Sequence, residues 1–212
     1  MTQNIAKLDH ILQLAPVVPV LILDDPSEAV SLGRALVAGG LPVLEVTLRT
    51  PAALECMKAM TAIPGAVVGA GTVLDEEQLK AAVGGGAQFL VSPGGAPKLL
   101  DAAARTDVPL LPGIATAGEA MGMMERGYRR LKFFPAEPAG GAEYVKALAS
   151  PLQALKFCPT GGISLAKAPA YLKLPNVICV GGSWVAPTDA IKAGDWARIE
   201  TLAREAAALP RG

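Results

Sequence analysis

The sequence is short of the residues that most often do chemistry. It has one histidine and three cysteines in 212 residues. His10 falls in an N-terminal helical segment, remote from any strand end, so histidine acid–base catalysis is excluded. Cys56, Cys158 and Cys179 are odd in number and widely spaced, which fits buried thiols in a reducing compartment. No cysteine pair or histidine cluster has metal-ligand spacing, so no metal site is expected. Aromatic residues make up only 4% against 51% hydrophobic residues, so the core must be built from Ala, Val and Leu. Charge of either sign is balanced, 19 Lys+Arg against 19 Asp+Glu, which argues against nucleic acid or an anionic membrane as a partner. No apolar run approaches the roughly 20 residues that span a bilayer; the stretch around Ala15–Leu23 is about half that. The first residues carry no charged-then-apolar export pattern. A cytoplasmic, single-domain protein over residues 1–212 is expected, with no linker or low-complexity tract.

What is present is a repeat of short β-branched runs between Ala/Leu/Glu/Lys segments. The runs are Val17–Leu23, Val43–Leu48, Val67–Thr72, Gln88–Val91, Val108–Pro112, Arg130–Phe134, Leu155–Pro159 and Val177–Val180. The first begins at residue 17 and the eighth at residue 177, a mean repeat of about 23 residues, the size of one strand plus one helix. Helix signals fill the gaps: Pro26-Ser27-Glu28 opens one that Gly39-Gly40 ends, and Asp75-Glu76-Glu77 opens another that Gly84-Gly85-Gly86 ends. Such units imply parallel strands under helices. An open doubly wound sheet and a closed barrel both satisfy that. Eight even units without a dinucleotide fingerprint favour an α/β (β/α)8 TIM barrel. An extra helix, Ile5–Leu14, precedes the first strand, and Asp195–Leu209 forms the last helix.

In such a barrel the outer strand face lies under helices, so a polar strand residue points inward or sits at a rim. Leu44-Glu45-Val46-Thr47-Leu48-Arg49 alternates strictly, which turns Glu45, Thr47 and Arg49 inward toward the strand's C-terminal end. Glu45 is the only one of the 11 glutamates inside a predicted strand. In Arg130-Leu131-Lys132-Phe133-Phe134 the same alternation turns Lys132 inward, while the other nine lysines fall on helices, loops or the starting ends of strands. An amine that loses hydration in an apolar interior is a nucleophile for carbonyl carbon and forms a Schiff base. A bland alternative is a buried ion pair between Lys132 and Glu45 with no chemical role, which is costly to keep. Gly161-Gly162 and Gly181-Gly182 follow strands seven and eight, where a phosphate would rest on backbone N–H groups, and Ser183 offers a hydroxyl. Ser164 reads equally as a helix N-cap. Gly69-Ala70-Gly71-Thr72 is small enough for close approach of a substrate, and Ser92-Pro93-Gly94-Gly95 reads as a turn. Glu137, just past strand six, is the fallback acid–base residue.

These segments together, Glu45-Val46-Thr47-Leu48-Arg49-Thr50, Gly69-Ala70-Gly71-Thr72-Val73, Ser92-Pro93-Gly94, Leu131-Lys132-Phe133-Phe134-Pro135-Ala136-Glu137, Pro159-Thr160-Gly161-Gly162-Ile163 and Gly181-Gly182-Ser183-Trp184, resemble the 2-keto-3-deoxy-6-phosphogluconate (KDPG) aldolase family, also called the 4-hydroxy-2-oxoglutarate (KHG) aldolase family. The resemblance runs from about residue 8 to residue 208. It implies a metal-free class I aldolase (a lyase of the Entner–Doudoroff route) on a TIM barrel, assembled as a homotrimer. Lys132 would form a covalent imine with substrate, needing no cofactor, and Glu45 would be the general acid/base. Arg49, Thr72, Pro93 and Phe134 would line the pyruvate pocket, and Thr160, Gly161, Gly162, Gly182 and Ser183 would hold hydroxyls and phosphate. Alternatives that the residues leave open are an unphosphorylated or galactonate-derived substrate, a non-covalent phosphosugar isomerase, and a phosphosugar-binding barrel.

Overall fold

The computed structural model describes residues 3–212. Strands and helices alternate: α1 (Ile5–Leu12), β1 (Val17–Leu21), α2 (Pro26–Ala38), β2 (Val43–Thr47), α3 (Ala53–Met60), β3 (Val67–Gly71), α4 (Glu76–Gly84), β4 (Leu90–Val91), α5 (Pro97–Ala103), β5 (Leu110–Leu111), β6 (Gly113–Ile114), α6 (Ala117–Glu125), β7 (Arg130–Phe133), α7 (Gly141–Leu148), β8 (Lys156–Pro159), α8 (Ala168–Leu172), β9 (Val180–Gly182), α9 (Thr188–Ala193) and α10 (Trp196–Ala207). Local chemistry explains the boundaries. The Asp25 carboxylate accepts from the Ser27 amide ahead of Pro26, and Gly39 closes the same helix. The Asp75 carboxylate accepts from the Gln78 amide, and Thr116 and Glu119 form a reciprocal capping box.

All strand pairs are parallel. One sheet runs β5-β4-β3-β2-β1-β9 and the other β6-β7-β8. Only Pro112 separates β5 from β6, and single bridges Phe157↔Val177 and Thr160↔Gly181 join the other edges. Helices cover the outer face, where Leu44, Val46, Leu131 and Phe133 are buried. On the inner face, Val18, Val43, Phe89, Val91, Leu111, Cys158 and Cys179 pack with Leu8, Ile11 and Leu12 of α1. α1 lies at the strands' N-terminal ends: Asp9 pairs with Arg130, and the Gln3 amide donates to the Leu110 and Arg130 carbonyls at 2.9 Å. His10 is exposed on that helix. Among the described residues no helix is long and apolar enough to cross a membrane.

Six of the eight expected runs coincide with strands to within two residues at an end. Run five does not, because Pro112 has no N–H to donate. Its flanking residues pair on opposite sides, Leu110 and Leu111 with β4 and Gly113 and Ile114 with β7. Run eight is displaced: the ladder with β1 is made by Val180, Gly181 and Gly182 against Val17, Val18 and Pro19. α1 ends at Leu12 rather than Leu14.

Candidate active site

β2 delivers Glu45 to the inner face, between Val20 of β1 and Gly69 of β3 in register. Its side chain is 4% exposed. Two residues on, Thr47 donates its hydroxyl to the Leu21 carbonyl at 2.8 Å, tying the strand's upper end to β1. Space for the carboxylate comes from Gly71: a Cβ there would stand 2.3 Å from Glu45 Oε1. Gly69 similarly admits the Phe89 ring. These two glycines make room for Glu45 and Phe89.

β7 brings Lys132 opposite Gly113 on one side and Cys158 on the other. Its ammonium donates to Glu45 Oε1 at 3.2 Å, and both side chains are 4% exposed. The Phe134 ring centroid lies 5.3 Å from Nζ, offering its negative face to the same cation. Two opposite charges taken out of water must hold each other to offset the hydration they lose. A substrate that engages either one releases the other, an arrangement suited to a nucleophile and a proton carrier.

Beyond this pair, a cleft of about 130 Å³ is lined by Arg49, Phe134, Thr160, Gly161, Gly162, Gly182 and Ser183, with Val20, Ile22, Ile163 and Gly181. A second cleft of about 260 Å³ shares Phe134 as a wall and adds Pro93. Gly113 allows that approach, since a Cβ there would meet the Pro93 carbonyl at 2.2 Å. Thr72 enters through Arg49, whose Nε donates to the Thr72 hydroxyl at 2.9 Å. Thr72 holds a φ of +56°, the only non-glycine in the left-handed region among the described residues. A β-branched residue there stores strain of about 1–3 kcal/mol, the kind that gathers at ligand-holding sites.

Several expectations need correction. Arg49 does not continue the inward alternation: β2 ends at Thr47, the chain turns as the Arg49 amide donates back to the Thr47 carbonyl, and Arg49 stands exposed at the rim. Gly161 and Gly162 take left-handed φ values of +108° and +77°, as a loop nest requires, but Gly181 and Gly182 do not and belong to β9. They are glycines because of packing: a Cβ at Gly181 would meet Thr160 Oγ1 at 2.3 Å, and one at Gly182 would meet the Trp184 ring at 1.8 Å. Ser164 does not cap a helix with its hydroxyl; α8 starts at Ala168, with Lys167 at the cap. Glu137 is committed elsewhere, accepting from Lys167 Nζ and the Tyr171 hydroxyl at 2.5 Å each. Those bonds, Lys167 first and then Tyr171, hold its carboxyl below the ordinary range. Burial, then the bond to Glu137, pushes the Tyr171 phenol up. Gly113 is a site-shaping residue that the sequence did not single out; glycine inside a strand was the available signal. No group of three or more His, Cys, Asp or Glu converges on a point among the described residues.

The family described as KDPG and KHG aldolase matches residues 8–202, nearly the whole described chain. The chain belongs to the KDPG and KHG aldolase family. A 2-dehydro-3-deoxy-phosphogluconate aldolase of Pseudoalteromonas atlantica is 51% identical over 198 residues, covering 93% of this chain and 92% of its own. The crystal structure of the KDPG aldolase of Zymomonas mobilis ZM4 with 3-phosphoglycerate superposes with a TM-score of 0.92 at 49% identity, covering 97% of each chain. The KDPG aldolase of Legionella pneumophila, captured with pyruvate as a covalent carbinolamine intermediate, matches with a TM-score of 0.92 at 42% identity over 94% of this chain and 98% of its own. Family membership thus covers every strand that carries the Lys132–Glu45 pair and the cleft beside it.

Proposed function

We propose that this chain is a class I aldolase, a lyase that reversibly cleaves 2-keto-3-deoxy-6-phosphogluconate to pyruvate and D-glyceraldehyde 3-phosphate, with 4-hydroxy-2-oxoglutarate as a further substrate giving pyruvate and glyoxylate. The observation that carries the reading is the buried Lys132–Glu45 contact at 3.2 Å beside a cleft ending in a left-handed Gly-Gly loop. The pyruvate carbinolamine of the Legionella relative and the phosphoglycerate of the Zymomonas relative support the two halves of the substrate. We read the two sheets as one eight-stranded (β/α)8 barrel, with β5 and β6 as a single strand, forming one domain over residues 1–212. A homotrimer goes with the reading, and the half-exposed Leu74 and Met121 side chains offer apolar surface for it.

The mechanism follows from the pair. Lys132 Nζ adds to the C2 carbonyl, and the carbinolamine loses water to give an iminium, so no cofactor is required beyond that covalent bond. Glu45, directly or through a water, accepts the C4 hydroxyl proton as the C3–C4 bond breaks, and the bonding electrons pass into the iminium to leave an enamine. Glyceraldehyde 3-phosphate departs; C3 takes a proton back, and water hydrolyses the iminium to release pyruvate and free Lys132. Arg49, with Thr72, Pro93 and Phe134, is assigned to the pyruvate end, Arg49 to its carboxylate. Thr160, Gly161, Gly162, Gly182 and Ser183 are assigned to the hydroxyls and phosphate.

The decisive test is borohydride reduction in the presence of pyruvate, read by intact mass and peptide mapping. One reduced adduct on the peptide carrying Lys132 is expected. A folded protein that gives none would return the non-covalent isomerase or binding barrel to the front. A second outcome follows from Gly71. A methyl group at Gly71→Ala would stand 2.3 Å from the Glu45 carboxylate and must push it aside. Displacements of this size cost catalysis about 10²-fold. Turnover should fall by that order while borohydride capture persists; unchanged turnover would mean that the position of Glu45 is immaterial.

A further inference from the structure

Gly161 and Gly162 have no side chains with which to hold their own shape, and two successive left-handed residues are open to many conformations when nothing braces them. Bracing comes from Glu137. Its amide donates to the Gly161 carbonyl at 3.0 Å, and the neighbouring Ala136 amide donates to the Thr160 carbonyl at 2.8 Å. Gly162 lies directly on the Glu137 side chain: a Cβ on Gly162 would stand 2.9 Å from Glu137 Cβ. The carboxylate then reaches the chain beyond the loop, taking Lys167 Nζ on one oxygen and the Tyr171 hydroxyl on the other, each at 2.5 Å. Ala136 therefore holds the loop before its two glycines, and Glu137 holds it at Gly161, beneath Gly162 and beyond them. A carboxylate this close to an anion site would ordinarily oppose phosphate, and Lys167 supplies the compensating charge.

We propose that Glu137 is a positioning residue for the substrate phosphate: with Lys167 and Tyr171 it holds the Gly161–Gly162 loop in the shape that receives the phosphoryl group, and so sets the preference for phosphorylated over unphosphorylated 2-keto-3-deoxy acids. The inference rests on the aldolase reading above. The chemistry is specific to a carboxylate, because two donors meet two acceptor oxygens. Glu137→Gln loses the negative charge that holds Lys167 Nζ, and its NH2 group can meet Tyr171 only if the hydroxyl turns from donor to acceptor.

The test compares kcat/KM for 2-keto-3-deoxy-6-phosphogluconate and for 2-keto-3-deoxygluconate in the full-length enzyme and in Glu137→Gln. The ratio of phosphorylated to unphosphorylated substrate should fall about tenfold, the scale of one lost charge-assisted hydrogen bond, carried by KM of the phosphorylated substrate rather than by kcat. Tyr171→Phe, which removes one donor and keeps the carboxylate, should move the ratio the same way by less, and it decides the matter if Glu137→Gln does not fold. Equal losses on both substrates, a loss confined to kcat, or an unchanged ratio would overturn the proposal. Absence of a pyruvate adduct on wild-type Lys132 would instead overturn the aldolase reading. Calorimetry with inorganic phosphate would then still judge the loop: weaker binding to Glu137→Gln supports the brace, and equal binding rejects it.

Discussion

Lys132→Ala is expected to abolish cleavage and to abolish pyruvate capture by borohydride. The proposed route forms its covalent bond at Nζ and uses the resulting iminium as the electron sink for C3–C4 cleavage. Without it the loss should approach the whole enzymatic enhancement, at least about 10⁶-fold in kcat/KM. The substitution also strands Glu45, whose side chain is 4% exposed and whose partner is Lys132. Removing one member of a buried pair costs about 3–5 kcal/mol, so a lower Tm is expected alongside. Lys132→Arg separates the two effects. It keeps a cation facing Glu45, but the guanidinium stays protonated and forms no imine. That variant should melt higher than Lys132→Ala and be equally inert. A pyruvate adduct on either variant, or turnover within about a hundredfold of wild type, would overturn Lys132 as the nucleophile.

Glu45→Gln is expected to lower kcat by about 10²–10⁴-fold, the usual contribution of a positioned general acid/base. The amide keeps the shape of the carboxylate and an oxygen for Lys132 Nζ, so the fold should survive and the imine should still form, though more slowly, because loss of water from the carbinolamine also needs a proton. The measurement is single-turnover cleavage beside the time course of borohydride capture. Full turnover would remove Glu45 from the proton path. A lowered Tm with unchanged kcat would assign the residue a purely structural role as partner to Lys132.

The candidate pair was legible because both residues break a local pattern. In a strand with period two, Glu45 sits between Leu44 and Val46, and Lys132 sits between Leu131 and Phe133. Apolar neighbours fix the helix-facing side, so the polar residue has only the inner face left. The helix ends were legible for the same local reason, in Pro26-Ser27-Glu28, Asp75 and the glycines that close α2 and α4. Arg49 misled because the alternation continues in letters after the strand has ended. Its end is decided by the turn in which the Arg49 amide donates back to the Thr47 carbonyl, just past the last ladder bond, from Leu48 to the Gly71 carbonyl of β3.

By itself, then, the sequence determined the alternation of strands and helices, the inward direction of Glu45 and Lys132, and a Gly-Gly turn after β8. Each of these follows from chemical character within a few neighbouring residues. Only the tertiary structure decided that Lys132 and Glu45, 87 residues apart, meet at 3.2 Å. It alone showed that Gly71 leaves room for the Glu45 carboxylate, that Gly181 and Gly182 yield to Thr160 and Trp184, and that Glu137 is taken up by Lys167 and Tyr171. The Lys132–Glu45, Gly71–Glu45 and Gly181–Thr160 contacts depend on which strands lie side by side and in what register, and a one-residue slip would turn these side chains to the other face.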